Sequence, residues 1–178
     1  MEEYEVTIKG ITPLMSNRFL ENEETSGKKG EVEDSPELAD KKVYRVGDKV
    51  VAPSEWIQRA MEKVASEFKV EGMGRTTYKT LLPGNIFINP EYIPIEPQSY
   101  VIDKRSVVNP FTKGRVIRYR PKWTNWKLSF KIQVFDKRLK EDVLRNILTE
   151  AGRRVGIGDG RKIGFGRFVV TKFKKVKK

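Results

Sequence analysis

Tyr4, Val6 and Ile8 alternate with polar residues in EEYEVTIKG, the two-residue period of a half-buried strand, and Gly10 with Pro13 closes the run. A different period governs Trp56, Ile57, Ala60, Met61, Val64 and Phe68, which recur every three or four residues. That spacing predicts a helix with one face on a core, with Ser54 placed to cap it. Between the two, residues 43–51 read as a short hairpin turning at Gly47-Asp48. Leu128, Phe130, Ile132 and Val134 alternate again as a strand. Leu139, Val143, Ile147 and Ala151, joined by Leu144 and Leu148, form the stripe of a second helix, which Gly152 is placed to end. Residues 168–173 read as a last strand. Residues 81–95 are strand-like but broken by Pro83, Pro90 and Pro94, so they predict an edge strand or an irregular hairpin.

The resulting order is strand, helix, strands, helix, strand. An α+β fold follows, with the β-α-β-β-α-β order of a ferredoxin-like antiparallel sheet: both helices cover one face and the other face stays open to bind. A length of 178 residues suits one domain, 1–178, with a core and room for insertions. Residues 21–42 hold eight acids and four lysines with almost no large apolar side chain, which predicts an acidic mobile loop. No metal-ligand spacing is visible there, so no metal and no cofactor are expected.

Charge narrows the choice of partner. Lys and Arg number 36 against 24 Asp and Glu, a net charge of +12, and without histidine this charge barely changes between about pH 5 and 8. A polyanion is the expected partner. A membrane surface would call for a basic amphipathic helix or a long apolar run, and neither occurs. There is no cysteine for disulfides or the usual zinc sites, and the acidic, alternating N-terminus is unlike a secretory signal. An intracellular, cytoplasmic protein is expected.

The charge is concentrated. Between residues 99 and 131 one acid, Asp103, faces nine bases, interleaved with Tyr100, Phe111, Tyr119, Trp123 and Trp126. Cations neutralise phosphates while aromatic rings stack on bases, a pairing typical of single-strand binding. Lys104, Arg105, Arg115, Arg118, Tyr119, Arg120, Lys122 and Trp123 are therefore candidates for nucleic-acid contact. A solvated charged face is the alternative, and the tryptophans are equally suited to a core. The tail, residues 174–178, holds four lysines in five positions.

Five glycines punctuate RVGIGDGRKIGFGRF, residues 154–168. A dinucleotide site needs glycines between a strand and a following helix, but here they follow a helix and precede a strand. No GxxxxGK[ST] occurs, since Ile163 follows Lys162. Gly164-Phe165-Gly166 partly fits the RNA-recognition-motif signature, yet Arg167 interrupts it and the segment lies at the last strand. Glycines let the backbone approach a ligand so that N–H groups reach phosphate oxygens, with Arg153, Arg154, Arg161, Lys162 and Arg167 supplying charge. A tight loop shaped by packing alone is the other explanation, and the two are compatible.

GIGDGRKIGFGRF, placed after an amphipathic helix and before a final strand, resembles the glycine-rich loop of the RAMP superfamily of CRISPR-associated proteins. VTIKGITPLMSNRF is similar to that family's opening strand and TPL turn, and VAPSEWIQRAM to the entry into its first helix. The resemblance covers about 90 residues. It implies that Arg18, Gly158, Gly160, Gly164, Phe165 and Gly166 join the basic residues in binding nucleic acid. It also implies that residues 70–125 form an inserted basic hairpin, or thumb, like the one with which backbone subunits grip guide RNA.

The expected partners are single-stranded RNA or DNA, with a homo-oligomer along the strand or CRISPR effector subunits as protein partners. Some RAMP proteins are endoribonucleases that commonly use a histidine, which this chain lacks, so a non-enzymatic binder is expected. The alternatives are a viral or plasmid single-strand DNA-binding or annealing protein, a metal-independent ribonuclease, and a structural assembly protein.

Overall fold

The computed structural model describes residues 1–21 and 34–177, so residues 22–33 of the acidic stretch and Lys178 lie outside the described residues. The first strand, β1 (Glu2–Gly10), buries Tyr4, Val6 and Ile8 and turns Glu3, Glu5 and Thr7 to the opposite face, as its alternation requires. A two-residue strand, β2 (Leu14–Met15), follows. Ser35 then caps a short helix, α1 (Pro36–Lys41), its Oγ accepting from Leu38 N–H. This end of the acidic stretch is thus an ordered helix, a correction to the loop expected over 21–42. A hairpin turning at Gly47 joins β3 (Tyr44–Val46) to β4 (Lys49–Pro53).

The predicted first helix is α2 (Glu55–Ala65), which buries Ile57, Ala60, Met61, Val64 and Ala65. Ser54 holds its N-cap position without a side-chain cap: its φ of −58° is already helical, and its carbonyl accepts from Ile57 and Gln58. One turn of helix, α3 (Tyr78–Leu81), leads to β5 (Ile86–Asn89) and β6 (Tyr92–Pro94). A long hairpin pairs β7 (Val101–Val108) with β8 (Arg115–Trp123). Then come β9 (Lys127–Val134), α4 (Glu141–Glu150) and, beyond the glycine stretch, β10 (Phe168–Lys175).

The fold is α+β. Its main sheet has the order β10-β1-β9-β5 with every neighbouring pair antiparallel. Counted along the chain, these strands stand fourth, first, third and second, with α2 between the first and second and α4 between the third and fourth. Apolar side chains from β1, β9 and β10 meet α2 and α4 in one core that includes Phe130, Ile132, Leu144, Ile147, Leu148 and Phe168. The opposite face of the sheet carries ion pairs, Lys131 to Glu3 at 2.8 Å and Lys172 to Glu5 at 2.7 Å, and its aromatic side chain is Phe87.

Two expected boundaries move. Gly152 does not end the second helix, which continues through a π-helical turn over Ala151–Val155. A Cβ at 152 would lie 2.3 Å from the carbonyl oxygen of Phe168 and 2.6 Å from its ring, so this glycine lets β10 pack against the helix. The stretch 70–125, expected as one basic hairpin, is divided among three sheets. Residues 86–89 form an edge strand of the main sheet, and residues 101–123 form the hairpin of β7 and β8. The basic tail is partly strand as well, since Lys174 and Lys175 pair with Glu5 and Tyr4.

Candidate nucleic-acid interface

Residues opposite each other in an antiparallel pair share a face, so the register of β7 and β8 sorts the predicted hairpin residues. Asp103 lies opposite Arg120 and Arg105 opposite Arg118, with Lys122 one pair further on. One face therefore gathers Arg105, Arg118, Arg120 and Lys122 with Asp103, the one carboxylate that the hairpin itself contributes. Asp103 is buried, accepts from Arg105 Nε at 3.0 Å and from Lys122 Nζ at 2.7 Å, and lets like charges sit side by side. The Arg105 guanidinium, aided by Lys122, holds the Asp103 carboxyl below its ordinary range against the opposing pull of burial.

The hairpin is fixed to the body at its central strand. Beyond the two residues paired with β2, the edge of β8 is covered by side chains instead of a strand. Asp34 accepts from the N–H of Tyr119 at 2.9 Å, and Lys42 Nζ donates to its carbonyl at 2.9 Å. Asp34 and Lys42 are themselves an ion pair at 2.7 Å with side chains only 3% and 11% exposed. Both backbone groups of Tyr119 are thus satisfied, and the edge is closed to further strand pairing.

The glycine stretch folds back along the turn after β1. Asp159 N–H donates to Met15 O at 2.8 Å, Gly166 N–H to Pro13 O at 2.8 Å and Arg167 N–H to Thr12 Oγ1 at 2.9 Å. Glycine is required at 158 and 166, where φ is +75° and +73°. A Cβ there would lie 2.4 Å from Met15 O and 1.8 Å from Ile157 O. Much of the loop's hydrogen-bonding capacity is therefore spent on its own packing. The N–H groups of Gly158, Gly160, Arg161 and Lys162 have no acceptor among the described residues.

Loop and hairpin meet. The Arg105 guanidinium lies 4.8 Å from the centroid of the Phe165 ring, and Arg120 Nε lies 2.8 Å from Asp159 Oδ2. The basic hairpin face and the glycine loop, distant in sequence, thus form one surface. Arg118, Arg161, Lys162 and Arg167 on or beside it have no ion-pair partner among the described residues.

Other candidates go elsewhere. Lys104, Tyr119 and Arg115 occupy the opposite hairpin face, with the Lys104 ammonium 5.8 Å from the Tyr119 ring centroid. Arg153 pairs with Glu150, and Arg154 grips Glu67 at 2.5 and 2.7 Å, so both brace the helical layer. Arg18 binds the carbonyls of Lys41 and Lys42. Trp123 corrects the expectation of a stacking ring. It is 1% exposed, packs on Tyr100 with centroids 5.1 Å apart, and is core. Trp126 is core too, its Nε1–H donating to Thr12 O at 2.8 Å.

The residues that sequence reasoning missed are acids: Asp34, Asp103 and Asp159. Asp103 carried a visible signal as the only acid in its basic segment. The roles of Asp34 and Asp159 depend on partners 85 and 39 positions away along the chain. Among the described residues, no group of three or more His, Cys, Asp or Glu is placed to hold a metal ion, and no helix is long and apolar enough to cross a membrane.

No protein-family model matches the chain, and no curated protein matches it in sequence. Solved structures do. Over 99% of its length the chain is similar to a chain in the cryo-EM structure of the type III-B Cmr-beta bound to cognate target RNA, at 13% identity and a TM-score of 0.57. The two share a fold. A second similar structure is a CRISPR protein from Archaeoglobus fulgidus, at 14% identity, 99% coverage and a TM-score of 0.45. The chain spans 61% of the length of the Cmr-beta chain and 65% of the archaeal one.

Proposed function

We propose that the protein is a non-catalytic RAMP-type CRISPR-associated protein that binds single-stranded nucleic acid, mainly through its phosphates, across the hairpin and glycine-loop surface. The observation that carries this reading is the junction itself. Arg105 on Phe165 and Arg120 against Asp159 place a four-cation strand face beside a loop with open amides and further cations. Such a surface tracks a backbone without reading bases. The strand order fourth, first, third, second, with helices α2 and α4 in the crossovers, supports a ferredoxin-like core with an inserted thumb. The fold shared with a chain of an RNA-bound Cmr-beta structure supports RNA as ligand and CRISPR effector subunits as partners.

Catalysis has little to draw on. The chain has no histidine, and Tyr100 is pushed up to about 12 by burial and its hydrogen bond to Asp40, far from the range of a general base at neutral pH. The test is equilibrium binding of fluorescent 30-nucleotide ssRNA and ssDNA across a salt series, with product analysis by gel. Binding of intact RNA that weakens steeply with salt is expected. Absent or salt-independent binding refutes the reading, RNA cleavage refutes its non-catalytic part, and a preference for ssDNA points to a free-standing single-strand DNA-binding protein of the same fold.

A further inference from the structure

Two carboxylates face the hairpin cations, and they are held very differently. Asp103 is 9% exposed and accepts three hydrogen bonds, from Arg105 at 3.0 and 3.3 Å and from Lys122 at 2.7 Å. It is a structural brace. Asp159 is 30% exposed in its side chain and has one ion-pair partner among the described residues, Arg120, whose side chain is 19% exposed. Although Nε and Oδ2 are 2.8 Å apart, both atoms are buried and neither has a hydrogen-bond partner, because the N–H is not aimed along the contact.

The backbone that carries Asp159 is itself anchored. Asp159 is held by its N–H to Met15 O at 2.8 Å and stands between two glycines of positive φ, Gly158 and Gly160. The carboxylate is therefore presented to Arg120 from a crest whose backbone is tied to the turn after β1. A guanidinium gains most from an oxyanion that meets its planar fork squarely, as a mobile phosphate can. The open N–H groups of Gly158, Gly160, Arg161 and Lys162 flank the same crest.

We infer that Asp159 is a built-in competitor for phosphate: it neutralises Arg120 while the surface is empty and is displaced when a backbone phosphate of a bound strand takes that cation. The inference rests on the nucleic-acid reading above and adds to it a residue that sets affinity by opposing it. Asp159 thereby discriminates against short or isolated anions, because displacement needs neighbouring phosphates held by Arg118, Arg161 and Lys162.

The test compares wild type with Asp159→Ala and Asp159→Ser for binding to a fluorescent 30-nucleotide ssRNA over a salt series. Removing the competitor leaves the number of phosphate contacts, and with it the slope of log K against log salt, close to the wild-type value, and tightens binding about fivefold at about 0.1 M salt. In an Arg120→Ala background the same Asp159 change is expected to have no effect. Unchanged or weaker binding by both variants, at a melting temperature matching wild type, overturns the inference. So does equal tightening in the Arg120→Ala background, which traces the effect to net charge. A variant that melts early is set aside in favour of the other, since Ala and Ser disturb the crest differently; early melting of both makes Asp159 a structural brace and also overturns the inference. Wild-type binding with an unresponsive position 159 sinks this inference alone, whereas no binding by any variant sinks the nucleic-acid reading as well.

Discussion

Arg118→Ala isolates a single phosphate contact. Arg118 lies opposite Arg105 on the hairpin face, and unlike Arg105, Arg120 and Lys122 it has no carboxylate partner among the described residues. Its removal breaks no ion pair and relieves a like-charge contact across the strands, so the melting temperature should hold or rise slightly. With Arg118, Arg120, Arg161, Lys162 and Arg167 each taking one phosphate, the wild-type slope of log K against log salt is about −3.5 for a single strand, and Arg118→Ala brings it to about −2.8. Between about 50 and 200 mM salt the wild type then loses about 130-fold in affinity and the variant about 50-fold. Fluorescence anisotropy with a 30-nucleotide ssRNA at four or five salt concentrations resolves this difference. A variant slope equal to wild type shows that Arg118 touches no phosphate, and a wild-type slope near zero refutes the whole electrostatic argument.

Further expectations follow from burial and ion pairing. Trp123→Ala should cost about 3–5 kcal/mol of stability by chemical denaturation, since the ring is core; normal stability with lost binding would instead make it a stacking residue. Gly166→Ala places a Cβ 1.8 Å from Ile157 O in a positive-φ position and should lower the melting temperature more than Gly164→Ala, whose Cβ has nothing within 4 Å. Arg153→Ala should leave ssRNA affinity within about twofold of wild type, because this exposed side chain is paired with Glu150 on the helical layer. In pH titrations of stability, Asp103 has a folded-state pKa below its ordinary 3.8, so its contribution is complete above that value and is lost as pH falls through the depressed one. Stability should therefore change little between about pH 5 and 8, where no histidine titrates, and fall below about pH 4; a midpoint near pH 6 would contradict this assignment.

Periodicity alone located β1, β9, α2, α4 and β10, because each buries one face and burial writes its spacing into the chain. The glycine stretch was equally legible as a loop between helix and strand. Local signals misled where a distant neighbour took over. Gly152 sits where a helix should stop, but Phe168 packs so closely against it that the helix runs past. Trp123 lies among basic residues like a stacking ring, but its strand turns it inward onto Tyr100.

What the amino-acid order determined by itself was the set of amphipathic elements, their succession and the basic character of residues 99–131. Tertiary structure alone decided which of those bases act together. Strand register divides Arg105, Arg118, Arg120 and Lys122 from Lys104, Tyr119 and Arg115, and the packing of the glycine loop brings Phe165 and Asp159 to the first group. The reason is physical: a two-residue period tells that a strand has two faces, but only the pairing partner and the body it docks on tell what each face meets.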